Sequence, residues 1–256
     1  MTSIDVVMVN YKTYSLAQRF IDSYYKFKPR VDSALTVVDN ESDSPELLSL
    51  DGSDALITSR DNLGYSGACN LAASKTSGDY IAFFNSDCEF NNPDCIDICI
   101  EYLENNPDVA VVGPLQYSSD GKVTHGGIFG THSAPKHRGF GAPLQHGYRD
   151  IREAVTVSGS AYFTPRRVWN EMADCEIYNL TFPNATGAWP PFPHFFEETL
   201  YSYHVFGHGY KCAYIGEAEM IHQWHKSSKT GSQDDNFKIG QKGFRLFCDN
   251  HGIPHD

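Results

Sequence analysis

The feature that most constrains the fold is the alternation of short apolar runs with helix-type segments over the first 114 residues. Runs that are apolar throughout are typical of strands buried on both faces, as in parallel sheets covered by helices. The predicted strands are residues 4–10, 34–40, 54–59, 80–85 and 108–114. The predicted helices are residues 15–27, 44–50, 64–78 and 92–106. The pattern therefore predicts an α/β fold with a mostly parallel sheet flanked by helices.

Beyond residue 114 this regular pattern ends. Residues 115–153 are rich in Gly, His and Pro and are predicted to form a long loop, which in a compact domain is usually functional or mobile. The remaining predicted elements are a strand at 154–164, a short helix at 166–172, an aromatic-rich loop at 179–194, a helix at 195–211 and a strand from 212 onward. The chain shows no internal repeat and no long linker, so residues 1–256 are interpreted as one domain.

The composition excludes several classes of function. The net charge is −12 and there is no long basic run, so we expect no binding to nucleic acid or anionic membranes. No apolar stretch approaches the roughly 20 residues that span a bilayer, and an acidic residue within the first apolar run indicates a strand instead of a signal peptide. The seven cysteines include no CxxC pair, which argues against a disulfide framework or a zinc knuckle. We therefore expect a soluble, cytoplasmic protein with no transmembrane segment.

Polar residues follow three of the predicted strands. They are Asn10 with Tyr11, Asp39 with Asn40, and residues 85–87. Each group alone is also typical of an ordinary turn at the end of a strand. In a parallel sheet, however, the carboxyl ends of the strands share one edge, and ligands bind there. The three groups together therefore predict a binding crevice at that edge.

Asp87 is the candidate metal ligand in this crevice. The chain contains no GxGxxG and no GxxxxGK[ST] segment, so a bound phosphate would need another source of positive charge. A carboxylate at a strand end can hold a divalent cation, and oxygen ligands suit magnesium or manganese. Asp87 could instead cap the next helix, but Asn91 and Asn92 already supply caps there.

Seven segments carry a resemblance to a known family. They are VVMVNYKT, VVDNESDS, DNLGYSGACNLAAS, GDYIAFFNSDCEF, VSGSAYFTPRRVW, FFEETLYSYHVFGHGYK and WHKSSKTG. In number and order they resemble the glycosyltransferases of family 2, and Asn85 in place of the frequent aspartate is similar to the rhamnosyltransferase-like branch. The resemblance implies the Rossmann-like GT-A fold. It also implies a nucleotide-sugar-binding half at 1–114 and a loop-rich, acceptor-binding and catalytic half at 115–256.

The resemblance further implies ligands. The donor would be a nucleotide-diphosphate sugar, and the acceptor a glycan, a lipid-linked molecule or a protein. The residues that match donor-binding positions are Val9, Asn10, Tyr11, Asp39, Asn40, Asn62, Gly64, Gly67, Asn70, Asn85, Ser86, Asp87 and Gly159. The metal, Mn²⁺ or Mg²⁺, would be held by Asp87 and a histidine. The order Trp-His-Lys favours His225, which is the predicted ligand, and the distance from Ala218 makes His222 the alternative.

The resemblance also implies the chemistry, which is inversion at the anomeric carbon by a single displacement. An acceptor hydroxyl needs a base as it attacks, and Glu198 stands at the family's second acidic position. Glu197 would orient the acceptor. The family's usual Glu-Asp pair is Glu-Glu here, and Leu200 and His204 also depart from its pattern. Both glutamates could instead be solvated charges at a helix start, where acids favour the helix dipole.

Two other classes of function remain open at this point. The altered acidic pair is compatible with a catalytically inactive module that binds a sugar nucleotide. A sugar nucleotidyltransferase would also combine a parallel sheet with a metal-bound nucleotide, but such enzymes normally carry an N-terminal glycine-rich loop with Arg and Lys. The segment VVMVNYKTYS lacks that loop.

Overall fold

The computed structural model describes residues 2–51, 54–131, 134–224 and 233–252. The strands are β1 (Ser3–Asn10), β2 (Asp32–Asn40), β3 (Ala55–Ser59), β4 (Tyr80–Asn85), β5 (Cys88–Glu89), β6 (Val109–Tyr117), β7 (Val123–His125), β8 (Ile128–Thr131), β9 (Ala134–His137), β10 (Ile151–Ala154), β11 (Ala161–Pro165) and β12 (Lys211–His222). The helices are α1 (Tyr14–Lys26), α2 (Gly64–Ala73), α3 (Cys95–Asn105), α4 (Arg166–Ala173), α5 (Glu176–Thr181), α6 (Glu197–Gly207) and α7 (Gln233–His251). Two 3-10 turns cover Pro45–Leu47 and His146–Tyr148.

Ten of the strands form one sheet. Its main path runs β3–β2–β1–β4–β11–β6–β12–β10, with β5 beside β12 and β7 beside β6. Strands β1 to β4 are mutually parallel where they pair, and β6 and β12 are parallel to each other. Strand β11 inserts antiparallel between β4 and β6, and β10 is antiparallel to β12. The predicted α/β fold with a mostly parallel sheet flanked by helices is confirmed.

Helices cover both faces of the sheet, which is why its strands are apolar throughout. One buried cluster joins the sheet to α1 and α3, through residues such as Phe20 and Ile100. A second joins it to α2, α4 and α6, through residues such as Trp169 and Tyr201. A smaller third cluster links α5, α6 and α7. Within the described ranges, no helix combines the length and apolarity that crossing a bilayer requires.

The structure corrects the secondary-structure prediction after residue 114. The segment 115–153 is not one long loop, because it contains β7 to β10, whose short strands alternate with glycine-containing turns. Of the strand predicted at 154–164, only the last part forms a strand of its own, β11. The residues before it connect β10 to the position of β11 beside β4. Helix α5 overlaps the predicted loop at 179–194, and helix α7 was not predicted.

The strand register brings the predicted polar ends together. Val9 on β1 pairs with Asn85 on β4, and Asn10 pairs with Asp39 on β2. The three strand ends are therefore level at one edge of the sheet. The chain turns there into the elements that carry the remaining candidate residues.

Candidate active site

A cavity of about 280 Å³ opens at this edge of the sheet. Its walls come from the carboxyl ends of β1, β2 and β4, the start of α2, the turn before β11, the start of α6, the end of β12 and the first turn of α7. The lining residues are Val9, Tyr11, Asn40, Asn62, Gly64, Tyr65, Asn85, Ser86, Asp87, Ser158, Gly159, Ser160, Pro193, His194, Phe195, Glu197, Glu198, His222, Trp224 and Asn236.

Most of the residues predicted from the sequence meet in this cavity. Nine of the thirteen predicted donor-binding positions are in its lining: Val9, Tyr11, Asn40, Asn62, Gly64, Asn85, Ser86, Asp87 and Gly159. Both predicted catalytic glutamates and His222 line it as well. His225, the other candidate metal ligand, lies outside the described residues.

The other four predicted positions lie elsewhere. Asn10 and Asp39 are fully buried beside the cavity, and the Asn10 amide donates to the Asp39 carboxylate at 2.7 Å. The hydroxyl of Tyr14 also donates to Asp39, at 3.3 Å. Gly67 and Asn70 line a second cavity of about 540 Å³, which shares Asn62, Gly64 and Pro193 with the first. A nucleoside that contacts Asp39 therefore requires a neighbour such as Tyr14 to move.

Asp87 and His222 form the candidate metal centre. The antiparallel pairing of β12 with β5 places His222 opposite Cys88, next to Asp87 in the chain. The Nε2 atom of His222 lies 3.4 Å from Oδ1 of Asp87, and both residues are buried. Within the described part of the chain, Nδ1 of His222 has no hydrogen-bond partner. A carboxylate and an imidazole nitrogen at this distance form a donor set that fits a divalent cation.

The third member of this group is Cys88. Its thiol and the ligand atoms of Asp87 and His222 all lie within 4.8 Å of one another. The thiol is engaged elsewhere, because its Sγ donates to the carbonyl oxygen of Ser160 at 3.2 Å. The remaining oxygen and nitrogen donors suit manganese better than magnesium, since magnesium prefers oxygen ligands alone.

The start of α2 reaches the cavity because Gly64 permits a close approach of two backbones. Gly64 has φ +70°, and a Cβ there would lie 2.8 Å from the carbonyl oxygen of Pro193. The next amide, of Tyr65, donates to that same oxygen at 3.2 Å. The Tyr65 hydroxyl crosses the cavity wall to donate to the Gly159 carbonyl at 2.8 Å. These contacts hold both walls together and keep the start of α2 in the cavity lining.

The two glutamates stand at the start of α6, after a strained turn. Phe195 and Phe196 have φ angles of 74° and 68°, in the left-handed region that costs an L-residue about 1–2 kcal/mol. Helix α7 covers this turn, since Phe237 packs on both rings and the backbone at Gly240 lies against the Phe195 carbonyl. Strain of this kind persists where the surroundings enforce it, and it occurs frequently at functional sites.

The environments of the two glutamates differ. Glu197 is buried, with Oε1 3.7 Å from Nδ1 of His194, and its Oε2 has no hydrogen-bond partner among the residues described. Burial, reinforced by the charge of Glu198, raises the pKa of Glu197 well above its usual value. Glu198 is only partly buried, and burial raises its pKa above the usual value as well. Burial thus favours the protonated form of both carboxyls, and it does so more strongly for Glu197 than for Glu198.

A match to a protein family covers most of β1, all of β2 to β4 and the residues that these strands bring to the cavity. Residues 5–153 match Glycosyl transferase family 2, and this stretch is more than half of the 256 residues. The chain belongs to this family. The match is to the family as a whole, so the rhamnosyltransferase-like branch stays a prediction. No curated protein matches the chain at a significant level.

Several solved structures have the same fold as this family 2 chain. GalNAc-T7 with UDP, GalNAc and Mn²⁺ is 14% identical, with a TM-score of 0.66 over 97% of this chain and 48% of its own. S. aureus TarS 1-349 with UDP-GlcNAc is 15% identical, with a TM-score of 0.63 over 98% and 66%. PcManGT from Pyrobaculum calidifontis with GDP-Man and Mn²⁺ is 13% identical, with a TM-score of 0.57 over 97% and 72%. The chain spans 48% of GalNAc-T7 and 36% of the longer TarS structure. These likenesses confirm the GT-A fold.

Several lining residues were not singled out by the sequence. Three of them, Tyr65, Ser158 and Ser160, fall within segments that carried the family resemblance. Their position next to predicted site residues was the one feature of the sequence that could have identified them. Trp224 likewise opens the resembling segment WHKSSKTG. His194 and Asn236 come from elements whose place over the cavity follows from the tertiary fold alone.

Proposed function

We propose that this chain transfers a sugar from a nucleotide-diphosphate sugar to an acceptor hydroxyl, with a divalent cation and with inversion at the anomeric carbon. The observation that carries the proposal is the meeting of two separate groups in one cavity. One is the Asp87–His222 pair, and the other is the pair of glutamates at the start of α6. The first suits a metal-bound diphosphate, and the second suits deprotonation of a hydroxyl.

The charge of the cavity supports a metal-dependent donor. Asp87, Glu197 and Glu198 line it, whereas its lining among the described residues includes no lysine or arginine. A diphosphate would be repelled unless a cation neutralised it. When bound by Asp87 and His222, Mn²⁺ would supply charge stabilisation for the departing nucleoside diphosphate without protonation.

Glu198 is proposed as the general base and Glu197 as the residue that orients the acceptor. The acceptor proton would pass to a carboxylate oxygen of Glu198, whose raised pKa brings its basicity closer to neutral pH. Glu197, whose burial favours the protonated carboxyl, would in that form donate a hydrogen bond to an acceptor oxygen. Phe195 lines the same wall and would exclude water from the reacting centre.

The structural relatives agree with this reading of the donor. GalNAc-T7 is solved with UDP and Mn²⁺, TarS with UDP-GlcNAc, and PcManGT with GDP-Man and Mn²⁺. On this basis we propose a uridine or guanosine diphosphate sugar as donor. A glycan, a lipid-linked molecule or a protein remains the proposed class of acceptor, and the cytoplasm the proposed location.

Calorimetric titration of a panel of nucleotide sugars, with and without Mn²⁺, tests the proposal. We expect at least one donor to bind in a Mn²⁺-dependent manner, and Asp87→Asn to remove that dependence while the fold is retained. Asp174→Asn is the matched control, because Asp174 is exposed and remote from the cavity lining. Unchanged Mn²⁺-dependent affinity in Asp87→Asn would exclude Asp87 as a ligand.

Incubation of the best donor with candidate acceptors then separates an enzyme from a binding module. We expect nucleoside diphosphate release to depend on the acceptor, and proton NMR of the product to show the inverted anomer. Tight Mn²⁺-dependent donor binding without release in the presence of any acceptor would favour the inactive binding module. Retention of the anomeric configuration would contradict the single displacement.

A further inference from the structure

A second cluster of metal-ligating side chains lies away from the cavity, where three helices meet. Cys175 precedes α5, His204 lies on α6, and His251 is the last residue of α7. One ligand atom from each lies within 4.8 Å of the others. These residues are separated by 29 and 47 positions, so their spacing showed no metal motif in the sequence. The fold alone brings them together.

His204 is the central member of the cluster, and its surroundings leave its nitrogens available. It is 1% exposed and stacks on Tyr178, with the ring centroids 5.2 Å apart. Within the described ranges of the chain, neither ring nitrogen of His204 has a hydrogen-bond partner. A buried imidazole normally has such a partner, so this one points to a ligand that the described residues do not supply.

His251 is oriented as metal-binding histidines are. Its Nδ1 lies 3.0 Å from the carbonyl oxygen of Phe247, and because a carbonyl can only accept, Nδ1 must carry the proton. This fixes the tautomer in which the Nε2 lone pair is available as a ligand. That Nε2 atom is buried and, as far as the structure is described, has no partner.

We propose that Cys175, His204 and His251 bind a zinc-type divalent transition metal that fastens the end of α7 to α5 and α6. A thiolate and two imidazoles are a donor set that zinc prefers, and the thiol would release its proton to solvent on binding. Tetrahedral zinc places its ligand atoms about 3.5 Å apart, so the cluster, whose ligand atoms lie within 4.8 Å of one another, would contract by at most about 1.3 Å. The fourth position is open to water or to His208.

His208 is a neighbour of this cluster. Its ring centroid lies 5.0 Å from that of His204, and its Nδ1 lies 3.2 Å from a carboxylate oxygen of Glu171. A carboxylate behind one imidazole nitrogen orients the other nitrogen toward a metal. The site would thus contain softer donors than Asp87 and His222, and it would favour Zn²⁺ where the cavity favours Mn²⁺.

The site has a consequence for the cavity through α7. The same helix that ends at His251 contributes Asn236 to the cavity lining and packs Phe237 and Gly240 against the strained turn before Glu197. A metal at the C-terminal end of α7 would therefore hold the first turns of this helix in place over the cavity. The inference does not depend on the transferase proposal, because it concerns a separate set of ligands.

Cobalt substitution in the full chain tests the site. Co²⁺ bound to a thiolate gives a charge-transfer absorption band. Co²⁺ bound to oxygen and nitrogen ligands alone, as at Asp87 and His222, does not give this band. We expect the parent chain to show this band, to saturate at one thiolate-bound Co²⁺ per chain and to lose the band when Zn²⁺ is added. Cys175→Ser should abolish the band, and His251→Gln should weaken Co²⁺ binding by at least about 10-fold.

Two controls identify the thiolate and the histidine. Cys88→Ser removes the thiol next to Asp87 and should leave the band unchanged, as should His146→Gln on an exposed turn. A parent chain without the band, or a band that persists in Cys175→Ser and disappears in Cys88→Ser, would overturn the proposal. If Cys175→Ser does not fold by circular dichroism, His251→Gln decides, and unchanged Co²⁺ affinity in it overturns the proposal too.

Discussion

Replacing Gly159 by alanine tests how tightly the cavity wall holds the proposed base. A Cβ at position 159 would lie 3.3 Å from Cβ, 3.4 Å from Cγ and 3.6 Å from Cδ of Glu198. Carbon atoms prefer separations of about 3.5–4.0 Å, so the Glu198 side chain must shift by about 0.3 Å. A misplacement of about 1 Å can cost 10²-fold in rate. By proportion, we expect kcat to fall by about 3- to 10-fold in Gly159→Ala.

The assay is steady-state turnover with saturating donor and acceptor, alongside calorimetric donor affinity and a thermal melt. The Glu198 side chain can move into the open cavity. We therefore expect the free energy of unfolding to fall by less than about 1 kcal/mol, which is below the usual cost of overpacking. Gly147→Ala is the control, because a Cβ there meets nothing within 4 Å among the described atoms. An unchanged kcat in Gly159→Ala, with the protein folded, would refute the placement of Glu198 at the reacting hydroxyl.

Two further predictions concern buried carboxyl groups. Asp39→Ala should weaken calorimetric binding of the free nucleoside diphosphate and leave the acceptor KM unchanged, and the reverse result would show that Asp39 is not on the donor side. Glu197→Gln should raise the melting temperature at pH 7 but not at pH 3. The pKa of Glu197 is higher in the folded state than in the unfolded state, so this residue lowers the free energy of unfolding at neutral pH. The destabilisation amounts to about 1.4 kcal/mol per unit of pKa difference, and it disappears below the unfolded pKa of about 4.3. An equal effect at both pH values would contradict the raised pKa.

The parallel half of the sheet was predictable because its strands are buried on both faces. Apolar runs such as YIAFFN have one plausible environment, and the polar residues that end them mark the ligand-binding edge. Asn85 and Asp87 therefore lie where the sequence predicted. The insertion of β11 between β4 and β6 was not predictable, because nothing in a strand's own sequence specifies which strands it pairs with.

The contribution of α7 to the site could not be predicted from the sequence either. The helix is polar and contains two glycines, Gly240 and Gly243, which normally weaken a helix prediction. Their role is visible only in three dimensions, since a Cβ at either position would collide with Phe195 or Phe192. Similarly, Cys175, His204 and His251 form a cluster only because α5, α6 and α7 pack together.

The most direct test of the proposed catalysis is the turnover number of Glu198→Gln. This change keeps the size and hydrogen-bonding capacity of the side chain but removes its ability to accept a proton. We expect donor affinity within about twofold of the parent and kcat lower by about 10²–10⁴. Glu197→Gln, measured beside it, should mainly raise the acceptor KM. Full turnover in Glu198→Gln would contradict its assignment as the base, and loss of turnover in Glu197→Gln instead would reverse the two roles.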